Sequence, residues 1–209
     1  MARGSGYTVF LTASDSVFAL NSSSPAPQNV ALGGARNSGP VSKLAPKPST
    51  NPLPSNHRTT AIRMHLIGGN PQSQIIAGNE LPGVNNYYMG GDPKRAHEGV
   101  KRFGRVFYRD IYPGVNIAFH GEHQELEFDF TVAAGADPTP IDLGFSGARK
   151  IATDPSGNLL LSSTIGDVVL HKPIAYQEKD GKRQGVAAEF VPEGNNRVRF
   201  ALGSFDRTR

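Results

Sequence analysis

The segment from Glu125 to Val132 restricts the fold more than any other part of the chain. Leu126, Phe128, Phe130 and Val132 alternate without a break with Glu125, Glu127, Asp129 and Thr131. Side chains of a strand alternate between its faces, so one face here is apolar and the other is largely acidic. That predicts an antiparallel strand with one side on a core and the other in water.

The same reading extends along the chain. Ile62, Met64 and Leu66 alternate with Arg63 and His65, and YTVFL from Tyr7 with SVFAL from Ser16 predicts a hairpin turning near Ala13, Ser14 and Asp15. A short strand is expected at 74–77. Further strands are expected at 105–108, 115–119, 124–132, 141–145, 150–153, 159–162, 167–171, 174–178, 186–191 and 197–202. Turn-forming residues separate them: Asp154-Pro155-Ser156-Gly157-Asn158, Asp180-Gly181 and Glu193-Gly194-Asn195-Asn196. Asp-Gly between strands marks a hairpin because both central positions of its turn need positive φ. The stretch 80–103 is dense in Gly, Pro, Asn and Asp and reads as a loop. Many short strands with regular turns and no long helical pattern predict an all-β fold, an antiparallel β-sandwich-like domain.

One region departs from this pattern. Residues 21–58 hold seven of the 16 prolines amid Ser, Asn and Ala. Such a composition buries too little apolar surface to offset the entropy of ordering. The expectation is a single all-β domain over 1–209, interrupted at 21–58 by a flexible, disordered excursion.

Composition narrows the chemistry. With no cysteine, disulfides and thiolate metal sites are excluded. No run approaches the roughly 18 apolar residues of a membrane helix, and no apolar run follows the basic start as in a signal peptide. The net charge is +4, but apart from Lys94, Arg95, Lys101, Arg102 and Arg105 the cations are scattered. Nucleic-acid binding calls for a denser basic stripe with stacking aromatics, so that partner is not expected.

Several constellations invite a functional reading, each with a plainer one beside it. His120, Glu122 and His123 are zinc-ligand types, yet the spacing is not that of a helical zinc motif and lies between two strands. A solvated turn fits better, and no metal or cofactor is expected. Glu125, Glu127 and Asp129 share one strand face but do not converge on a point as calcium requires. No G-x-S-x-G turn anchors a hydrolase triad. Gly68-Gly69 and Gly90-Gly91 lack the strand–glycine–helix setting of a phosphate loop. Tyr87 and Tyr88 with Asn85 and Asn86 offer amphipathic rings and amides for a ligand surface, such as a stacked sugar.

A set of motifs in order carries a resemblance. ARGSGYTVFLT at Ala2, RMHLIGGNP at Arg63, ELPGVNNYYMGGDP at Glu80, VFYRDIYPGVNIAFHG at Val106, LEFDFTVAAGADP at Leu126, KPIAYQEKDGKR at Lys172 and FALGSFDRTR at Phe200 span most of the chain. Together they resemble the uncharacterised all-β domain that precedes SBBP (beta-propeller) repeats in bacterial secreted and cell-surface proteins. The resemblance implies an extracellular or cell-envelope setting, downstream propeller repeats as neighbours, and no catalytic residues. The expected function is a noncatalytic structural or recognition module, with glycan or protein at the cell surface as partner. The alternatives are a carbohydrate-binding module using Asn85, Asn86, Tyr87 and Tyr88, and a metal-dependent hydrolase at His120, Glu122 and His123.

Overall fold

The computed structural model describes residues 2–4, 7–13, 15–22, 30–32, 58–88, 96–122 and 125–208. Among them every regular element is a β-strand. A seven-stranded sheet runs in the order β1 (Ala2–Gly4), β2 (Tyr7–Leu11), β3 (Asp15–Ser22), β5 (Arg58–Leu66), β10 (Asp142–Ser146), β17 (Arg197–Leu202) and β16 (Ala188–Pro192). A four-stranded sheet is formed by β6 (Gln74–Tyr87), β7 (His97–Tyr112), β8 (Val115–Glu122) and β9 (Glu125–Val132). A second contains β11 (Lys150–Thr153), β12 (Leu159–Ser162), β13 (Asp167–Leu170) and β4 (Val30–Leu32). The hairpin of β14 (Ala175–Lys179) and β15 (Lys182–Val186) stands apart.

One core serves all three larger sheets in a sandwich-like packing. The seven-stranded sheet contributes Val9, Phe18, Ile62, Leu143 and Val198. Ile117, Phe119 and Leu126 come from the β6–β9 sheet, and Leu159, Leu161 and Val168 from the third. The alternation in β9 resolves as expected: Leu126 is buried, and Phe128, Phe130 and Val132 pack partly buried against the core. An aromatic chain joins two sheets. Ring centroids lie 6.0 Å apart for Phe119–Phe128, Phe128–Phe130 and Phe130–Phe200, and 5.4 Å for Phe190–Phe200. Such edge and tilted pairs add about 0.5–1.5 kcal/mol each beyond area burial.

The turns follow their residues. Asp180 and Gly181 both take positive φ, 51° and 72°, and close the β14–β15 hairpin. Asp154 closes the β11–β12 turn, its carboxylate accepting from the backbone N–H groups of Ser156 and Asn158. β3 and β5 are antiparallel neighbours, from Asp15↔His65 to Ser22↔Arg58, so the proline-rich segment joins two adjacent strands. Within that segment Val30–Leu32 pairs in parallel with β13, a parallel ladder in a fold whose other described ladders are antiparallel. The rest of the segment lies outside the described residues.

Two expectations are corrected. The stretch read as a loop from residue 80 to 103 is strand over 80–87 and 97–103. Its turn-forming residues sit at irregularities rather than ending the strands: the register shifts between Leu81 and Val84, and Gly83 takes φ 84°. Bulges accommodate such residues within a ladder. The single strand expected at 186–191 is instead the end of β15 and most of β16, broken at Ala187.

Candidate functional site

The β6–β7 pair has an inner and an outer half. β8 pairs with β7 at Arg105–Tyr108 and again at Tyr112, so residues 97–104 of β7 are laddered to β6 alone. This outer ribbon leaves the core, and its apolar side chains stay in water: Val84 is 58% exposed and Tyr88 68%, with Leu81, Val100 and Phe103 also exposed. The four residues proposed from sequence meet near its end. Asn85 donates from Nδ2 to the Tyr87 hydroxyl at 3.2 Å, the Tyr88 hydroxyl donates to Glu98 Oε1 at 2.9 Å, and Asn86 Oδ1 accepts from the Gly99 N–H at 2.8 Å. Asn85–Tyr87 belong to β6 rather than to a loop, and Tyr88 follows directly. Successive strand residues point to opposite faces, so the two rings do not form one platform. Tyr88 is the more exposed of the two rings.

His120 lies within β8, not at a hairpin tip, and its side chain is only 15% exposed. The register places Arg105, His120 and Glu127 side by side on three strands. His120 Nε2 is 2.8 Å from Asp129 Oδ2 and 3.8 Å from Glu127 Oε2, and Arg105 Nη2 lies 4.0 Å from Asp129. The acidic strand face is therefore tied to an imidazole and a guanidinium rather than simply solvated. Among the described residues no three metal-ligating side chains converge. His123, the other imidazole of that candidate, lies outside the described residues.

A third cluster was not legible in sequence. Asp15 starts β3, His65 lies near the end of β5 and Ser146 ends β10. His65 Nδ1 is 2.5 Å from Asp15 Oδ1, and His65 Nε2 is 3.1 Å from Ser146 Oγ. Fifty residues separate the first pair and 81 the second, so only sheet register brings them together. The one local signal is Gly144-Phe145-Ser146-Gly147, a serine between glycines at a strand end. Nearby, the Tyr108 hydroxyl donates to the Thr12 carbonyl at 2.6 Å. Burial and the Asp15 carboxylate push that phenol up to about 12.

Comparison with known proteins adds one finding. No curated protein and no solved structure matches the chain. A family model described as a domain of unknown function, DUF7948, matches residues 1–209. With the match running the length of the chain, the protein belongs to the DUF7948 family.

Proposed function

We propose that this domain is a structural or recognition module of a bacterial extracellular or cell-surface multidomain protein, standing before β-propeller repeats. The setting rests on the motif resemblance. The recognition role rests on the outer β6–β7 ribbon, which keeps Leu81 and Val100 on one face and Val84 and Phe103 on the other in water, with Tyr88 just beyond, although the fold has a large core to receive apolar side chains. A ribbon that holds apolar side chains in water on both faces offers area for a partner to cover. Binding at this ribbon is noncatalytic and uses no metal or cofactor; its partner is a glycan or protein of the cell surface.

The second reading, a carbohydrate-binding module, draws on Tyr88, whose ring is exposed and whose hydroxyl donates to Glu98. The test is binding of labelled domain to bacterial cells, wild type against a Val84→Ser, Tyr88→Ser, Phe103→Ser variant, with a glycan array in parallel. Cell binding lost in a variant that melts normally supports the ribbon. Array binding lost in Tyr88→Ala identifies a glycan. Equal cell binding by the wild type and the triple variant counts against the proposal.

A further inference from the structure

Asp15, His65 and Ser146 form a continuous hydrogen-bonded chain on one face of the seven-stranded sheet. Asp15 and His65 are direct register partners, as are His65 and Gly144, and Ser146 lies two residues beyond Gly144 on the same face. The residue opposite His65 is Gly144, over which the Ile67 side chain packs, and the imidazole reaches diagonally to the serine. All three groups therefore stand on paired strands rather than on loops, the setting that holds a site most rigidly.

The chemistry of the chain is directional. A carboxylate only accepts, so Asp15 takes the Nδ1–H of His65 and leaves the Nε2 lone pair facing Ser146 Oγ. The serine hydroxyl then donates to Nε2, which is the arrangement of a nucleophile with its general base. Asp15 is largely sheltered, with 17% of its side chain exposed, whereas 38% of the His65 side chain and the Ser146 hydroxyl are open to solvent. The orienting charge is thus kept from water while the reacting end is accessible. The chain bends just after Ser146: Gly147 has φ 88°, and an added Cβ would run into the Ala61 carbonyl. Only glycine fits that bend, which fixes where the strand carrying Ser146 ends.

We propose that Ser146 is a nucleophile activated by His65, with Asp15 as the positioning residue, and that it accepts acyl groups from esters. Ser146 Oγ bonds to the ester carbonyl carbon as its proton moves to His65 Nε2. The bond to the leaving alcohol breaks, and the alcohol carries that proton away, leaving an acyl-serine. Water then attacks the acyl carbon, giving a proton to Nε2; the carboxylic acid departs and the proton returns to Ser146. This activity goes beyond the recognition reading and uses strands β3, β5 and β10 rather than the ribbon, so either can fail without the other.

The probe is p-nitrophenyl acetate on the purified domain, read by p-nitrophenolate release and by peptide mapping of the acetylated residue. Wild type is expected to acetylate at Ser146 ahead of every other serine. Ser146→Ala should abolish that adduct with an unchanged melt. His65→Gln should slow it by about 100-fold, the lower end of what a general base contributes. Asp15→Asn should slow it and also shift the His65 ring ¹⁵N resonances toward the other tautomer, a change that a purely structural contact would not couple to acylation. Folded wild-type protein acetylated only at lysines and the amino terminus, with Ser146 unmodified, overturns the proposal. So does a His65→Gln variant that folds and acetylates Ser146 at the wild-type rate.

Discussion

The carboxylate of Asp142 on β10 is gripped by the guanidinium of Arg197 on the neighbouring strand β17, with Arg199 of the same strand 3.3 Å away. Only 4% of the Asp142 side chain meets solvent, while Arg199 also reaches Glu193 at 3.2 Å. On the backbone side, the Ile67 N–H donates to the Asp142 carbonyl, and the Tyr112 hydroxyl donates to the Ile67 carbonyl at 3.0 Å. A sheltered charge is tolerated because two cations and a polar network surround it. Asp142→Asn should therefore destabilise the fold by about 1.5–3 kcal/mol, the range for hydrogen bonds to charged groups. Glu193→Gln, on an exposed pair, should stay within about 0.5 kcal/mol. Paired denaturant melts give both values.

Core depth ranks the aromatic substitutions. Phe119 is 3% exposed and Phe128 is only partly buried against the same core. Phe119→Ala should cost about 3–5 kcal/mol through lost burial and the cavity left behind, with Phe128→Ala costing less. Thr131→Ala, on the solvent face of β9, should change stability by no more than about 0.5 kcal/mol. Equal losses for Phe119 and Thr131 in urea melts would mean that the faces of the β6–β9 sheet are reversed.

The β11–β12 turn makes a prediction about acid. Hydrogen bonds from Asn158, with help from the Ser156 and Gly157 backbone, hold the Asp154 carboxyl below its ordinary range. A depressed folded pKa stabilises above the unfolded value, near 3.9, and that contribution disappears as pH falls through the folded value. Asp154→Ala should thus lower the melting midpoint at pH 7. The gap from wild type should narrow as the pH is taken below about 3.9, and a gap independent of pH would show that the turn does not depend on the charge.

The amphipathic strands were legible because two-residue alternation needs no tertiary information. The hairpin at Asp180-Gly181 was legible because few residues take positive φ. The ribbon was not, because Pro82, Gly83 and Asn85 break the local pattern while the β6–β7 ladder continues past them. Neither was the pairing of His120 with Asp129, nor that of His65 with Asp15 and Ser146. Those contacts depend on which strands become neighbours, and the pairing of β10 with β5 spans a long stretch of chain. For the proposed ligand surface, residue type alone singles out Asn85, Asn86, Tyr87 and Tyr88, but it does not reveal that Asn86 is engaged with the Gly99 backbone.

The His120 cluster predicts metal independence. Its imidazole is already engaged by Asp129 and Glu127. Dialysis against a chelator should leave the melt unchanged, and His120→Ala should still fold at a cost of about 1 kcal/mol for the lost hydrogen bond. Stoichiometric zinc in protein purified without added metal, released in His120→Ala, would contradict this and revive the metal-dependent alternative.

The proposed function requires that the outer β6–β7 ribbon be a surface kept free for a partner and form no part of the core. Amide hydrogen exchange on the isolated domain tests it most directly, because exchange reports local opening strand by strand. Residues 79–88 and 97–104 should exchange well ahead of β5, β8, β10 and β17, whose amides should require near-global unfolding. Protection of the outer ribbon equal to that of those core strands would contradict the account, since the ribbon would then be part of the packed body.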